Sequence, residues 1–211
     1  MLKTLTRSLL VIATLLLGQM ALADDSTSRR PLFFFLFLHD DVKETDTERL
    51  VTHYFAWLVK DLESFTGRRV HMQFLRGIPT LTDFAYKGGD SDAIYGAWKQ
   101  RVDQYLNAQN LPRNGTTKYL LVTQDKIDSS TLGFTVDKGY TGIASLDTYT
   151  AAAHELGHML GGTHELAKVL YRDGWWCETN LVAVRQVVRA NCYVYSDKNK
   201  QRIAANLSEY P

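Results

Sequence analysis

Between residues 153 and 165 the chain reads Ala-His-Glu-Leu-Gly-His-Met-Leu-Gly-Gly-Thr-His-Glu. His154 and His158 stand four apart, so a helix projects both imidazoles from one face, one turn apart. Two neutral imidazoles at that spacing suit one Zn²⁺ ion. Glu155 lies about a hundred degrees round the helix axis from His154. It can sit beside a metal without ligating it, where a carboxylate takes a proton from water. Gly161 can end the helix sharply in a left-handed conformation, and the reversal lets His164 approach from the other side. Three nitrogens leave one coordination position open, which is the pattern of a catalytic zinc rather than a structural one. By chance the full spacing arises in about one chain in 100,000 of this composition. His39, His53 and His71 fall outside it and read as ordinary surface or half-buried residues.

These residues need a scaffold. Leu32 to Leu38 is a continuous apolar run, short and aromatic, and reads as a strand buried on both faces. Thr45-x-x-Glu48 has the form of a capping box. Val51, Tyr54, Phe55, Leu58, Leu62 and Phe65 then recur at helical spacing up to Gly67. Arg69 to Leu75 alternates like a strand, and Ile94, Trp98, Val102, Tyr105 and Leu106 mark a second long helix over 91–107. Tyr119 to Thr123 reads as a third buried strand, and Leu132 to Val136 and Tyr140 to Ser145 flank a hairpin-like turn. A helix follows over 148–160, then a turn-rich stretch, then a helix over 196–208 with Ser196 as its N-cap. The order of strands and helices predicts an α/β (α+β) layered lobe.

Composition narrows the function classes. The 211 residues carry 24 Lys and Arg against 23 Asp and Glu, too balanced to drive nucleic-acid binding. Residues 1–23 read as a signal peptide: Lys3 and Arg7, an apolar run from Leu9 to Leu17, and an Ala-x-Ala ending at Ala23. The run is short for a bilayer span, so no membrane span is expected once the leader is removed. The expected location is secreted or periplasmic. In an oxidising compartment the cysteine pair Cys177 and Cys192 reads as a disulfide.

His154 to His164 matches H-E-x-x-H-x-x-G-x-x-H and resembles the signature of the metzincin zinc endopeptidases. The resemblance implies a zinc metalloprotease domain over residues 24–211, with a mixed sheet, two long helices, an active-site helix and a small C-terminal lobe. Residues 24–161 would form an upper lobe ending in the active-site helix, and 162–211 a lower lobe. It implies an edge strand just before that helix, here Gly142, Ile143 and Ala144, which takes substrate as an added antiparallel strand. It also implies a turn beneath the zinc floored by methionine, but this chain has no methionine after Met159. The matching turn is Asn191-Cys192-Tyr193-Val194-Tyr195. The spacing from Cys192 is similar to the reprolysin-like branch and puts Val194 at the floor. Tyr195 is then the candidate transition-state stabiliser, a phenol that donates to developing charge. Reading Tyr195 as the astacin- and serralysin-like tyrosine puts Tyr193 at the floor instead. Glu165, directly after the third histidine, is an astacin-like feature, so the branch stays open.

The expectation is a secreted zinc endopeptidase in which Glu155 is the general base. Its partner would be a protein or peptide substrate. The alternatives are a non-catalytic binding module in the same shell, or the catalytic subunit of a secreted toxin with a separate delivery subunit. The resemblance also implies that the stretch from Leu166 to Val194 shapes the specificity pocket, with Trp175 and Trp176 lining it or packing the small lobe.

Overall fold

The computed structural model describes residues 29–211, so the leader reading for residues 1–23 lies outside the described residues. The fold is mixed α/β. Strand β1 (Leu32–Leu38) sits between β2 (Val70–Leu75) and β3 (Thr117–Thr123), parallel to both. β5 (Thr141–Ser145) pairs parallel with β3, and β4 (Gly133–Thr135) closes the sheet antiparallel to β5, giving the order β2-β1-β3-β5-β4. The alternation of a central strand explains how the sheet is covered. Leu32, Phe34, Leu36 and Leu38 of β1, with Leu120 and Val122 of β3, feed the core on one face. Phe37, Tyr119 and Leu121 feed the core on the other. Each such buried side chain contributes about 1.5–3 kcal/mol.

The first long helix runs as α1 (Thr47–Leu50), a π-helical segment Val51–Phe55, and α2 (Ala56–Thr66). Its N-cap is Asp46 rather than Thr45: the Asp46 carboxylate accepts from the amides of Glu48 and Arg49 at 2.9 and 3.4 Å. Gly67 ends it in the left-handed region, as its position suggests. Helix α3 (Ser91–Gln109) covers the second face through Ile94, Trp98, Val102 and Leu106. Helix α4 (Ala151–Met159) lies across the first face beside β5 and β4.

One expectation changes here. Gly142, Ile143 and Ala144 do not form an edge. They belong to β5, whose five residues are all buried because β3 and β4 occupy both of its sides. The outer position belongs to β4, within the hairpin partner read over 132–136.

After α4 the chain forms a second, small sheet of β6 (Val169–Arg172), β7 (Trp175–Glu178) and β8 (Ala190–Asn191), then helix α5 (Asp197–Leu207). Cys177 and Cys192 are disulfide-bonded with their Cα atoms 5.0 Å apart. Ser196 caps α5, its hydroxyl accepting from the Asn199 amide at 3.2 Å. Among the described residues no helix is long and apolar enough to cross a membrane.

Candidate metal centre

Helix α4 opens on three alanines whose small side chains let it lie close on the sheet, all of them buried. His154 and His158 project from its open face. The helix closes at Leu160, and Gly161 takes φ +96°, where an L side chain would be strained. The reversed chain brings His164 back, so that the Nε2 atoms of His154, His158 and His164 lie 2.9–3.1 Å from one another.

Helix α5 holds this reversal. Asn206 Nδ2 donates to the Leu160 carbonyl at 3.0 Å and Arg202 Nε to the Gly161 carbonyl at 2.6 Å. Asn199 grips Thr163 twice: its Oδ1 accepts from the Thr163 amide at 2.9 Å and its Nδ2 donates to the Thr163 carbonyl at 3.0 Å. The sequence signal for these residues is their spacing, three and four apart, which puts three polar side chains on one stripe of an amphipathic helix.

The rings are oriented from behind. His154 Nδ1 is 2.8 Å from the Asn180 carbonyl oxygen, and His158 Nδ1 is 3.0 Å from that of Gly162. With Nδ1–H donated to a carbonyl, each ring turns its Nε2 lone pair toward the shared point. Burial, with the neighbouring His158 and His164 adding to it, pushes His154 down to about 3, and burial also lowers His158. Neutral imidazoles whose lone pairs converge lack the donors to satisfy one another. They fit a cation that prefers nitrogen ligands, and three histidines with an open side are a zinc donor set.

Glu155 points to the sheet side of the same cleft and is buried. Burial alone pushes its carboxyl up to about 8. Gly133 of β4 makes room for it: a Cβ there would lie 2.6 Å from the Ile143 carbonyl oxygen and 3.0 Å from Glu155 Oε1. Beside Glu155, His154 and His164 opens a pocket of about 230 Å³, walled by Gly133, Thr148, Val182 and Arg185. A larger cavity of about 570 Å³ lies elsewhere, beside Arg68, whose guanidinium is bonded to the carbonyls of Arg30, Leu207 and Tyr210.

The turn beneath the histidines departs from expectation. Tyr195 belongs to the core beneath α4 rather than to the cleft. The Tyr195 ring is fully buried against α4 at Gly157, where an added Cβ would meet it at 2.7 Å. Its hydroxyl donates to the Ala153 carbonyl at 2.6 Å, and its backbone amide donates to Asp61 Oδ2 at 2.9 Å. A phenol committed to a backbone carbonyl inside the core is not placed to donate to reacting groups in the cleft. Tyr193 sits at φ +54° and is partly exposed, its ring 5.0 Å from that of Trp57. Val194 is half-buried. The left-handed residue at 193 turns the chain so that the next large side chain to enter the core is Tyr195.

Trp175 and Trp176 also differ from expectation. Both are exposed, at 73% and 57%, and neither walls the pocket or packs a core. The remaining histidines serve locally. His39 Nδ1 lies 2.8 Å from Asp41 Oδ1, His71 stacks on Phe33, and His53 lies edge-on to Tyr149.

No family model matches the chain, and no curated protein matches its sequence. Among solved structures it is similar to the crystal structure of metalloproteinase-II from Bacteroides fragilis, with a TM-score of 0.56 at 17% identity. The match covers 85% of this chain and 53% of that one, so the chain spans about half the length of that protein. At that identity the likeness is one of fold: a metalloproteinase fold, in which this chain carries a three-histidine cluster suited to zinc.

Proposed function

We propose that this chain is a secreted zinc-dependent endopeptidase. The observation that carries the proposal is the convergence of three histidine Nε2 atoms within 3.1 Å of one another, with the Glu155 carboxyl buried in the same cleft. His154, His158 and His164 would hold the ion. Bound zinc supplies Lewis acidity toward a carbonyl oxygen and lowers the pKa of water toward about 7.

The chain's own groups supply the rest. Glu155 is close enough to the histidines to share their cleft, yet its carboxyl is no part of the cluster, which leaves it free to carry a proton. It accepts a proton from the attacking water and delivers it to the leaving amine. Strand β4 has one side unpaired, so an extended substrate can add to it by backbone hydrogen bonds. Thus the edge role expected of Gly142, Ile143 and Ala144 passes to Gly133–Thr135. The Cys177–Cys192 bond supports an oxidising destination, secreted or periplasmic.

The test is hydrolysis of a protein or peptide library with and without a chelator. The wild-type chain should cut, and chelation should stop it. Glu155→Gln should retain zinc and lose about 10²-fold or more in turnover. Cutting by Glu155→Gln at the wild-type rate would remove Glu155 from the mechanism.

A further inference from the structure

The pocket beside Glu155 contains a cation whose charge is only partly met. Arg185 stands on its wall, half-buried, and its guanidinium is held along two edges. Nε lies 3.7 Å from Glu178 Oε2, and Nη2 donates to Asn191 Oδ1. The third donor, Nη1, is buried and has no partner. Buried donors are nearly always bonded, so this guanidinium, on the wall of a cleft, keeps a hydrogen-bonding demand that the described residues do not meet.

The charge count around it points the same way. Glu178 is fully buried and is the one carboxylate in this cluster. It already accepts from Arg189 Nη1 at 3.3 Å and from the Gln186 amide at 3.2 Å. Two guanidiniums against one carboxylate leave a surplus positive charge. Glu155 is the one acid on the pocket wall, and it is assigned to the proton transfer above. A second donor, the Thr148 hydroxyl, stands on the same wall, buried and without a partner. Arg185 is fixed before any guest arrives, so little ordering cost attaches to its use.

We propose that Arg185 makes this pocket a receptor for a carboxylate, so that the chain prefers peptides with aspartate or glutamate beside the scissile bond. The proposal rests on the peptidase reading for the word scissile, but binding of the acidic residue does not depend on cleavage. A bond from guanidinium to carboxylate is roughly twice as strong as one to a neutral amide, so aspartate should be separated from asparagine. A free peptide C-terminus offers the same carboxylate, and amidated peptides tell the two apart.

The experiment uses the zinc-loaded chain and a library of acetylated hexapeptides, each made both amidated and with a free C-terminus. Cleavage is profiled with the wild type, and capture with Glu155→Gln. Both should enrich Asp and Glu over Asn and Gln by about tenfold or more. Arg185→Gln should bring the ratio close to one. Arg185→Lys, which still pairs with Glu178, should keep part of the preference, and Arg189→Gln should keep all of it. Equal use of Asp and Asn by the wild type overturns the proposal without any variant having to fold. So does an enrichment that survives Arg185→Gln, or one that appears only when the peptide C-terminus is free. Capture of acidic peptides with no cutting keeps this inference and removes the peptidase reading. Cutting with no charge preference does the reverse.

Discussion

Residues 29–161 and the residues after them are held together by different means. In the first region, strands and helices are fixed by apolar residues that repeat, as in β1, whose alternate side chains fill two cores, and α3, with Ile94, Trp98, Val102 and Leu106 on one stripe. In the second region there is little repetition. Its small sheet leaves Tyr171, Trp175 and Trp176 exposed, and its shape depends on separate ties. These are the Cys177–Cys192 bond, the buried Glu178 carboxylate, Tyr195 beneath α4, and the Asn199 and Asn206 amides on the turn before His164. Two of the three clustered histidines belong to the first region, and the third is delivered by the second. The centre therefore depends on single contacts as much as on the core.

Breaking one tie should show this most strongly. Cys192→Ser should lower stability by about 2–5 kcal/mol. Hydrogen exchange should speed up at the amides of β7 and at 190–195, while the amides of β1 and β3 stay protected. Equal loss of protection in both regions would show that the two are not separately held.

Tyr195→Phe is the next smaller effect. Removing the hydroxyl leaves the Ala153 carbonyl without that donor and should cost about 0.5–1.5 kcal/mol. Zinc content and turnover should stay near wild type. A turnover loss of tenfold or more with stability unchanged would return the phenol to the cleft.

A pH test addresses the first region alone. Lys118 on β3 is buried, and its Nζ has the Gly139 carbonyl as a hydrogen-bond partner at 3.0 Å. Burial pushes it down to about 7, against an ordinary value near about 10.4. Between those values the unfolded chain binds a proton that the folded chain does not. Stability should therefore rise with pH across that window, and the penalty is present in full below it. Lys118→Met should flatten this part of the profile in denaturant melts taken from pH 7 to 10. An unchanged slope would mean that other groups produce it.

What the sequence made legible follows the same division. The sheet strands, both long helices and the histidine spacing could be read because periodicity and the glycine-ended helix carry them. Pairing order could not: the alternation in 140–145 does not say which side of a strand is open, and β4, three residues long, took the edge from β5. Tyr195 was misplaced in the cleft because spacing from Cys192 ignores backbone sign. The positive φ of Tyr193 decides that Tyr195 enters the core. Gly157 holds a trace of this, since a helix position without a side chain leaves space for a ring beneath it. Arg185 and Asn180 had no signal at all, because their partners, Glu178 and Asn191 for one and the His154 ring for the other, meet them only in the folded chain.

The central claim is that two regions built in different ways bring three imidazoles to one ion. Metal analysis joined to zinc titration tests it most directly. The account predicts one zinc per wild-type chain, with binding lost or greatly weakened in His154→Ala, His158→Ala and His164→Ala alike. A chain that neither retains zinc nor takes it up, or that binds it equally well without His164, would contradict it.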